Sequence, residues 1–138
     1  MKEIKVPAAI DQIDAVTDFV NSVLEELSCS IKAQMQIDVA IDELFGNIAK
    51  YAYHPSDGGD AVIRVESDED SLSVTITFMD EGKPFDPLRR SDPDVTLSAE
   101  ERGIGGLGIY VVKKTMDGVD YEYRDGMNIL RIKKNLGR

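Results

Sequence analysis

In the run Leu72-Ser73-Val74-Thr75-Ile76-Thr77-Phe78-Met79, the large apolar side chains Leu72, Val74, Ile76 and Phe78 alternate with Ser73, Thr75, Thr77 and Met79. That alternation specifies a strand with one face on a core and the other turned outward. Such a strand needs further strands beside it and helices laid over its apolar face, and the rest of the chain supplies both. Glu3 to Val6 alternate and stop at Pro7, a short strand, after which Ile10, Ile13, Val16, Val20, Leu24 and Leu27 recur at the spacing of an amphipathic helix. Ser30 is placed to cap a second, longer helix with the apolar stripe Ile37, Ile41, Leu44, Ile48 and Ala52, which ends near His54-Pro55 because proline cannot continue it. Ala61 to Glu66 reads as a strand joined to the alternating run by a hairpin across the acidic stretch Ser67 to Asp70. Ile109, Val111, Val112 and Met116 mark a third helix, and Val119 to Arg124 with Met127 to Lys133 form a hairpin across Asp125-Gly126. The order predicts an α+β fold: a two-layer α/β sandwich with helices on one face of a mixed, mainly antiparallel sheet.

A length of 138 residues, 42% hydrophobic and 30% charged, fits one globular domain over 1–138 that buries its own core. The balance of 26 acidic against 16 basic side chains gives a net charge of -10. That charge repels phosphate backbones and anionic lipid surfaces, so neither direct nucleic-acid binding nor membrane association is expected. An anionic ligand would need a local pocket of backbone N–H groups or a metal. The single cysteine, Cys29, cannot form an internal disulfide, and no charged segment followed by a long apolar run opens the chain, which together predict a cytoplasmic protein.

Three short patterns carry candidate chemistry. On the second helix, Glu43 and Asn47 fall about 80° to 120° to one side of the Ile37 stripe, neighbours at i and i+4 on its border. Read for function, Asn47 offers a neutral carbonyl oxygen to Mg²⁺ and Glu43 a base for a hydroxyl or water; the same pair is also common on solvated helix faces. Asp80 ends the alternating strand and Gly82 follows two residues later, a carboxylate that could accept from the exocyclic amine of a purine, or simply the turn that ends a strand. Gly103, Gly105 and Gly108 fit G-x-G-x-x-G, but the preceding residues Asp92 to Arg102 hold no apolar run, so the strand that a dinucleotide-binding turn requires is missing. Glycines opening a helix still expose N–H groups and the positive end of its dipole to phosphate. No glycine precedes a Lys-Ser or Lys-Thr pair, which excludes a Walker-type loop. Between Lys83 and Gly103 the chain carries Pro84, Pro87 and Pro93 among many charges, too long and polar for a tight turn, and reads as a lid.

Taken in order, Glu43-x-x-x-Asn47 on a helix, Asp80-x-Gly82 after a strand, and a glycine cluster beyond a lid resemble the three boxes of the GHKL (histidine kinase-like) ATPase superfamily. The runs Glu43 to Tyr53 and Asp80 to Pro87 look like its branch of bacterial anti-sigma-factor serine/threonine-protein kinases of the stress-response and sporulation type. The resemblance implies a Bergerat-type ATP-binding fold, a sandwich containing a left-handed βαβ unit. It implies ATP or ADP and Mg²⁺ as ligands, with Asn47 holding the metal, Glu43 as general base, Asp80 reading adenine and Gly82 beside the base. Gly103, Gly105, Gly106 and Gly108 match the glycines that lie against the phosphates at the end of an ATP lid spanning about 87–103. Arg102 is the candidate lid cation, with Arg89 and Arg90 competing for the role. Many members carry a second glycine where this chain has Pro84. The sole histidine, His54, is not a phosphoacceptor, since sensor kinases of the superfamily place theirs on a separate segment. The implied partners are a small anti-sigma-factor antagonist, which is the phosphoacceptor, and a sigma factor or similar regulator; a homodimer is implied as well. The alternative is a nucleotide-dependent binding switch without phosphotransfer.

Overall fold

The computed structural model describes residues 1–89 and 107–137. Five strands form one sheet: β1 (Lys2–Pro7), β2 (Asp60–Asp68), β3 (Ser73–Asp80), β4 (Gly118–Arg124) and β5 (Met127–Asn135), in the order β1-β2-β3-β5-β4. Three helices, α1 (Ile13–Glu26), α2 (Ile31–Tyr51) and α3 (Leu107–Thr115), pack with the sheet around one core. The α+β two-layer sandwich stands as read. In place of a mixed sheet, every hydrogen-bonded strand pair is antiparallel. The parallel relation is between β3 and β4, which α3 connects, and β5 lies between them.

The inner half of the alternation in β3 does the work expected of it, whereas the other face is not turned outward: Ser73, Thr77 and Met79 are buried as well, because β3 is the central strand of the sheet. Val74, Ile76 and Phe78 are each about fully buried on the inner face, next to Ile63 and Val65 of β2 and Leu130 and Ile132 of β5. Leu72, the first residue of the predicted stripe, is instead exposed in the preceding turn with φ +51°. There Asp68 Oδ1 accepts from the N–H groups of Asp70 and Ser71, so local hydrogen bonding ends the strand earlier than the hydrophobic pattern does. Asp125 and Gly126 both take positive φ, 55° and 78°, as the tight β4–β5 hairpin requires.

The first helical stretch breaks into a 3-10 turn, Ile10–Gln12, and α1, which buries Val16, Val20, Val23 and Leu24. Ser30 caps α2 as expected, its Oγ accepting from the N–H of Ala33 at 3.1 Å. The stripe of α2 is wider than the sequence suggests, because Phe45, without any solvent exposure, joins Ile37, Ile41 and Leu44 in the core. The helix stops at Tyr51, before Pro55, and the carbonyl of Ala52 accepts from the N–H of Lys83 at 2.9 Å. An orphan carbonyl at a helix end is thereby satisfied by the chain leaving β3, which brings the end of α2 and the end of β3 to one place. No helix among the described residues is long and apolar enough to cross a membrane.

Candidate functional site

Where the C-terminal half of α2 crosses β3, β4 and β5, a narrow recess opens, with about 410 Å³ of empty space when the open solvent at its mouth is included and about 30 Å³ for the centres of water-sized spheres. Its walls are apolar: Leu44, Ile48, Phe78, Phe85, Pro87 and Leu130; Asn47, Asp80, Tyr121 and Asn128 bring its polar side chains. A mostly apolar cavity with a few convergent polar groups is the ordinary form of a small-molecule site.

Asp80 is the charged group at its base, 4% exposed. The strand register places it opposite Asn128 of β5. Its Oδ1 accepts from the N–H of Gly82 and from Nδ2 of Asn128, both at 2.9 Å; its Oδ2 accepts from no donor among the described residues. Burial pushes the carboxyl above the usual range, and the hydrogen bonds from Asn128 and Gly82 oppose that shift.

Asn128 uses its whole amide on the protein. Nδ2 also donates to the carbonyl of Lys83 at 2.8 Å, while Oδ1 accepts from the N–H of Phe85 at 3.0 Å and from the hydroxyl of Tyr121. This set leaves one orientation for the amide, since Lys83 needs a donor and Phe85 an acceptor. The residue was missed from sequence, although a signal was present: Asn128 stands in the inward register of Leu130 and Ile132, where an apolar side chain is expected. Phe85, Pro87 and Tyr121 were likewise not singled out as lining.

Gly82 has a packing reason. A Cβ there would overlap the carbonyl of Ala52 at the end of α2, so only glycine lets the two segments approach. Above the recess, Glu43 and Asn47 are both half-buried, and Nδ2 of Asn47 reaches Oε1 of Glu43 at 3.4 Å, a long contact that leaves the Asn47 carbonyl oxygen free of it. Gly108, in the first turn of α3, lies against the same acid: a Cβ on it would overlap the Glu43 carboxylate. The structure thus brings Glu43 to both Asn47 and Gly108, and Asn47 to the same recess as Asp80. Arg90, Arg102, Gly103, Gly105 and Gly106 lie outside the described residues, as does most of the expected lid. Arg89 is exposed and sits 3.8 Å from Asp86. His54 is in the turn after α2, its Nδ1 2.7 Å from the Ser56 hydroxyl and away from the recess.

The chemistry of this donor set suits a ligand that carries its own anionic oxygens. No group of three His, Cys, Asp or Glu side chains arranged to hold a metal occurs among the described residues. The carbonyl oxygen of Asn47 is a neutral donor of the kind that a hard cation accepts.

Two expectations follow. Because the folded-state pKa of Asp80 is raised, its ionised form disfavours the fold above that pKa, and the penalty vanishes as pH falls toward the unfolded value. Asp80→Asn keeps an oxygen for both donors and removes the charge, so it should be more stable to urea than the parent protein near about pH 8, with the gap closing toward about pH 4. A gap that widens with acid would contradict this. For Gly108→Ala the three nearest atoms all belong to the flexible end of Glu43, and alanine is better than glycine by up to about 1 kcal/mol, the value for a helix interior. The variant should keep its unfolding midpoint while its crystal structure shows the Glu43 carboxylate displaced; a loss of stability with Glu43 unmoved would refute the contact.

The profile of the histidine kinase-like ATPase domain matches residues 6–134. The serine-protein kinase RsbW of Listeria monocytogenes serotype 4a (strain HCC23) is 25% identical over 134 residues, covering 94% of this chain and 84% of that protein. The serine/threonine-protein kinase BtrW of Bordetella bronchiseptica is 26% identical over 103 residues, 75% of this chain and 71% of its own length. RsbW of Bacillus velezensis is 23% identical over 133 residues, covering 95% and 83%. With a recess of this form on an α+β sandwich and a match over nearly its whole length, the chain belongs to the histidine kinase-like ATPase domain family.

Proposed function

We propose that this protein is an ATP-dependent serine/threonine-protein kinase of the anti-sigma-factor type. It binds Mg-ATP in the recess and phosphorylates a serine or threonine of a small antagonist protein. It sequesters a sigma factor or similar regulator in the cytoplasm, and acts as a homodimer. The observation that carries the reading is the pairing of two features in one place. A buried carboxylate at the base of an apolar slot has one oxygen uncommitted among the described residues, and an acid–amide pair stands beside it on α2.

In this reading the adenine slides between the apolar walls and its exocyclic amine donates to Oδ2 of Asp80, the oxygen that Asn128 and Gly82 leave open. Bound Mg²⁺ would neutralise charge on the phosphate oxygens. Asn47 supplies the protein's oxygen to that ion. Glu43 accepts the proton of the attacking serine or threonine hydroxyl as the γ-phosphoryl group leaves ADP for that oxygen. The helix opening at Gly108 turns its N–H groups toward the phosphates, continued by Gly103, Gly105 and Gly106, and Arg102 is assigned the charge that develops on the transferred group. The lid of this reading spans about 87–103.

Incubation with γ-labelled ATP and candidate antagonist proteins tests it. Label should appear on serine or threonine of one antagonist, and Glu43→Gln should lower the rate by about a hundredfold or more with nucleotide affinity retained. Nucleotide binding without transfer to any antagonist would instead favour a nucleotide-dependent binding switch. Steady phosphate release without a protein acceptor would favour a hydrolase.

A further inference from the structure

The N-terminal half of α2 carries a second apolar stripe, on the side away from the core. Ile31, Met35 and Val39 recur every four residues and are 78%, 62% and 49% exposed. Ile10, in the 3-10 turn that contacts α2, is half exposed as well. Three large apolar side chains in a row at helical spacing form a patch rather than the scattered exposure that any surface shows. Gly46 lies on the same line toward the C-terminus, and a Cβ on it would meet nothing within 4 Å. The neighbouring surface is acidic. Asp42 falls roughly 20° from Met35 around the helix and Asp38 roughly 60°, with Lys32 roughly 60° to the other side.

The charge is concentrated in the helical layer. Residues 10–52 hold eight carboxylates, Asp11, Asp14, Asp18, Glu25, Glu26, Asp38, Asp42 and Glu43, against two ammonium groups, Lys32 and Lys50. They therefore carry -6 of the chain's net -10. At the seam of α1 and α2, Asp38 Oδ1 and Asn21 Oδ1 are buried acceptors that no donor satisfies among the described residues. Burial pushes the Asp38 carboxyl up, the Asn21 hydrogen bond opposes the shift, and the charge of Asp42 adds to it. A cation docked beside Asp42 and the outer side of Asp38 would relieve the like-charge pair, while Asp38 Oδ1 in the seam stays out of its reach.

We propose that the Ile31–Met35–Val39 face of α2 is a docking surface for a basic amphipathic helix of a partner protein. The partner's apolar stripe covers these three side chains and its lysines or arginines meet Asp38 and Asp42. Helix-on-helix recognition of this kind reads anchors at i, i+4 and i+8 spacing and uses flanking charge to set orientation. A second copy of this chain fits the face less well. Each copy would bring the Asp38 and Asp42 carboxylates with only Lys32 to answer them, in a layer already strongly negative. The inference is independent of phosphotransfer, since the stripe lies outside the recess and shares no lining residue with it.

The test uses two labelled peptides of about 18 residues, each with leucines along one helical face, one with lysines and the other with glutamates on the flanks. Binding is read by fluorescence anisotropy on the full chain without nucleotide. The lysine peptide should bind saturably and weaken as salt rises, and the glutamate peptide should bind at least about tenfold less tightly. Met35→Gln with Val39→Gln, which alters no charge and touches no core residue, should weaken the lysine peptide by about tenfold or more while nucleotide affinity stays unchanged. Asp38→Asn with Asp42→Asn should flatten the salt dependence. Failure of the lysine peptide to bind would overturn the proposal. So would binding that the Met35/Val39 pair does not affect, which would mean diffuse attraction to an acidic protein. Self-association in sedimentation that the same pair abolishes would overturn it in favour of a second copy.

Discussion

The functional end of this fold hangs on one buried amide. Asn128 links β5 to three other parts of the chain: the last residue of β3 through Asp80, the segment that leaves β3 through Lys83 and Phe85, and β4 through Tyr121. A second tie, from the Lys83 N–H to the Ala52 carbonyl, fastens the same segment to the end of α2. Each of these buried groups would cost roughly 1–3 kcal/mol if left without a partner. The network is therefore either whole or strongly unfavourable, and the position of Asp80 is as fixed as the sheet around it. A carboxylate with a raised pKa is kept at the base of an apolar recess because two donors serve one of its oxygens and leave the other.

From that anchor the remaining arrangement follows by packing. The inner faces of β3 and β5 bury Phe78 and Leu130, which line the recess, and α2 lies across them with Leu44 turned inward. Because Leu44 faces the core, Glu43 and Asn47 fall on the border of the buried stripe, half covered and able to reach one another. Close approach is needed twice, where Gly82 meets Ala52 and where Gly108 meets Glu43, and both positions are glycine. The first contact closes the backbone around Asp80. The second sets the helix that opens at Leu107 against the acid expected to act as base.

Much of this was legible in the sequence, for particular physical reasons. Strict alternation over Val74, Ile76 and Phe78 marks a strand whatever surrounds it, and the stripe of Ile37, Ile41 and Leu44 marks the helix that covers it. Asp80 was legible because it ends the alternating run, and Glu43 and Asn47 because of their angle to the stripe. Asn128 was not singled out, because a polar residue near a strand's start reads as the edge of a turn until the register sets it opposite Asp80. Gly82 was read for a ligand's approach, and its contact with Ala52 depends on a helix end thirty residues earlier in the chain. That every neighbouring strand pair is antiparallel also needed the structure, since β5 enters between β3 and β4 against the order of the chain.

The central claim is that the recess holds a nucleotide and that the open oxygen of Asp80 reads its base. Calorimetric titration of the purified protein with ATP and with GTP, each with and without Mg²⁺, tests it most directly. The account predicts saturable ATP binding that strengthens with Mg²⁺. It also predicts GTP affinity lower by at least about tenfold, because guanine presents a carbonyl where adenine presents the amine and two acceptors would then face each other. Equal affinity for the two nucleotides, or no heat up to about 1 mM of either, would contradict it.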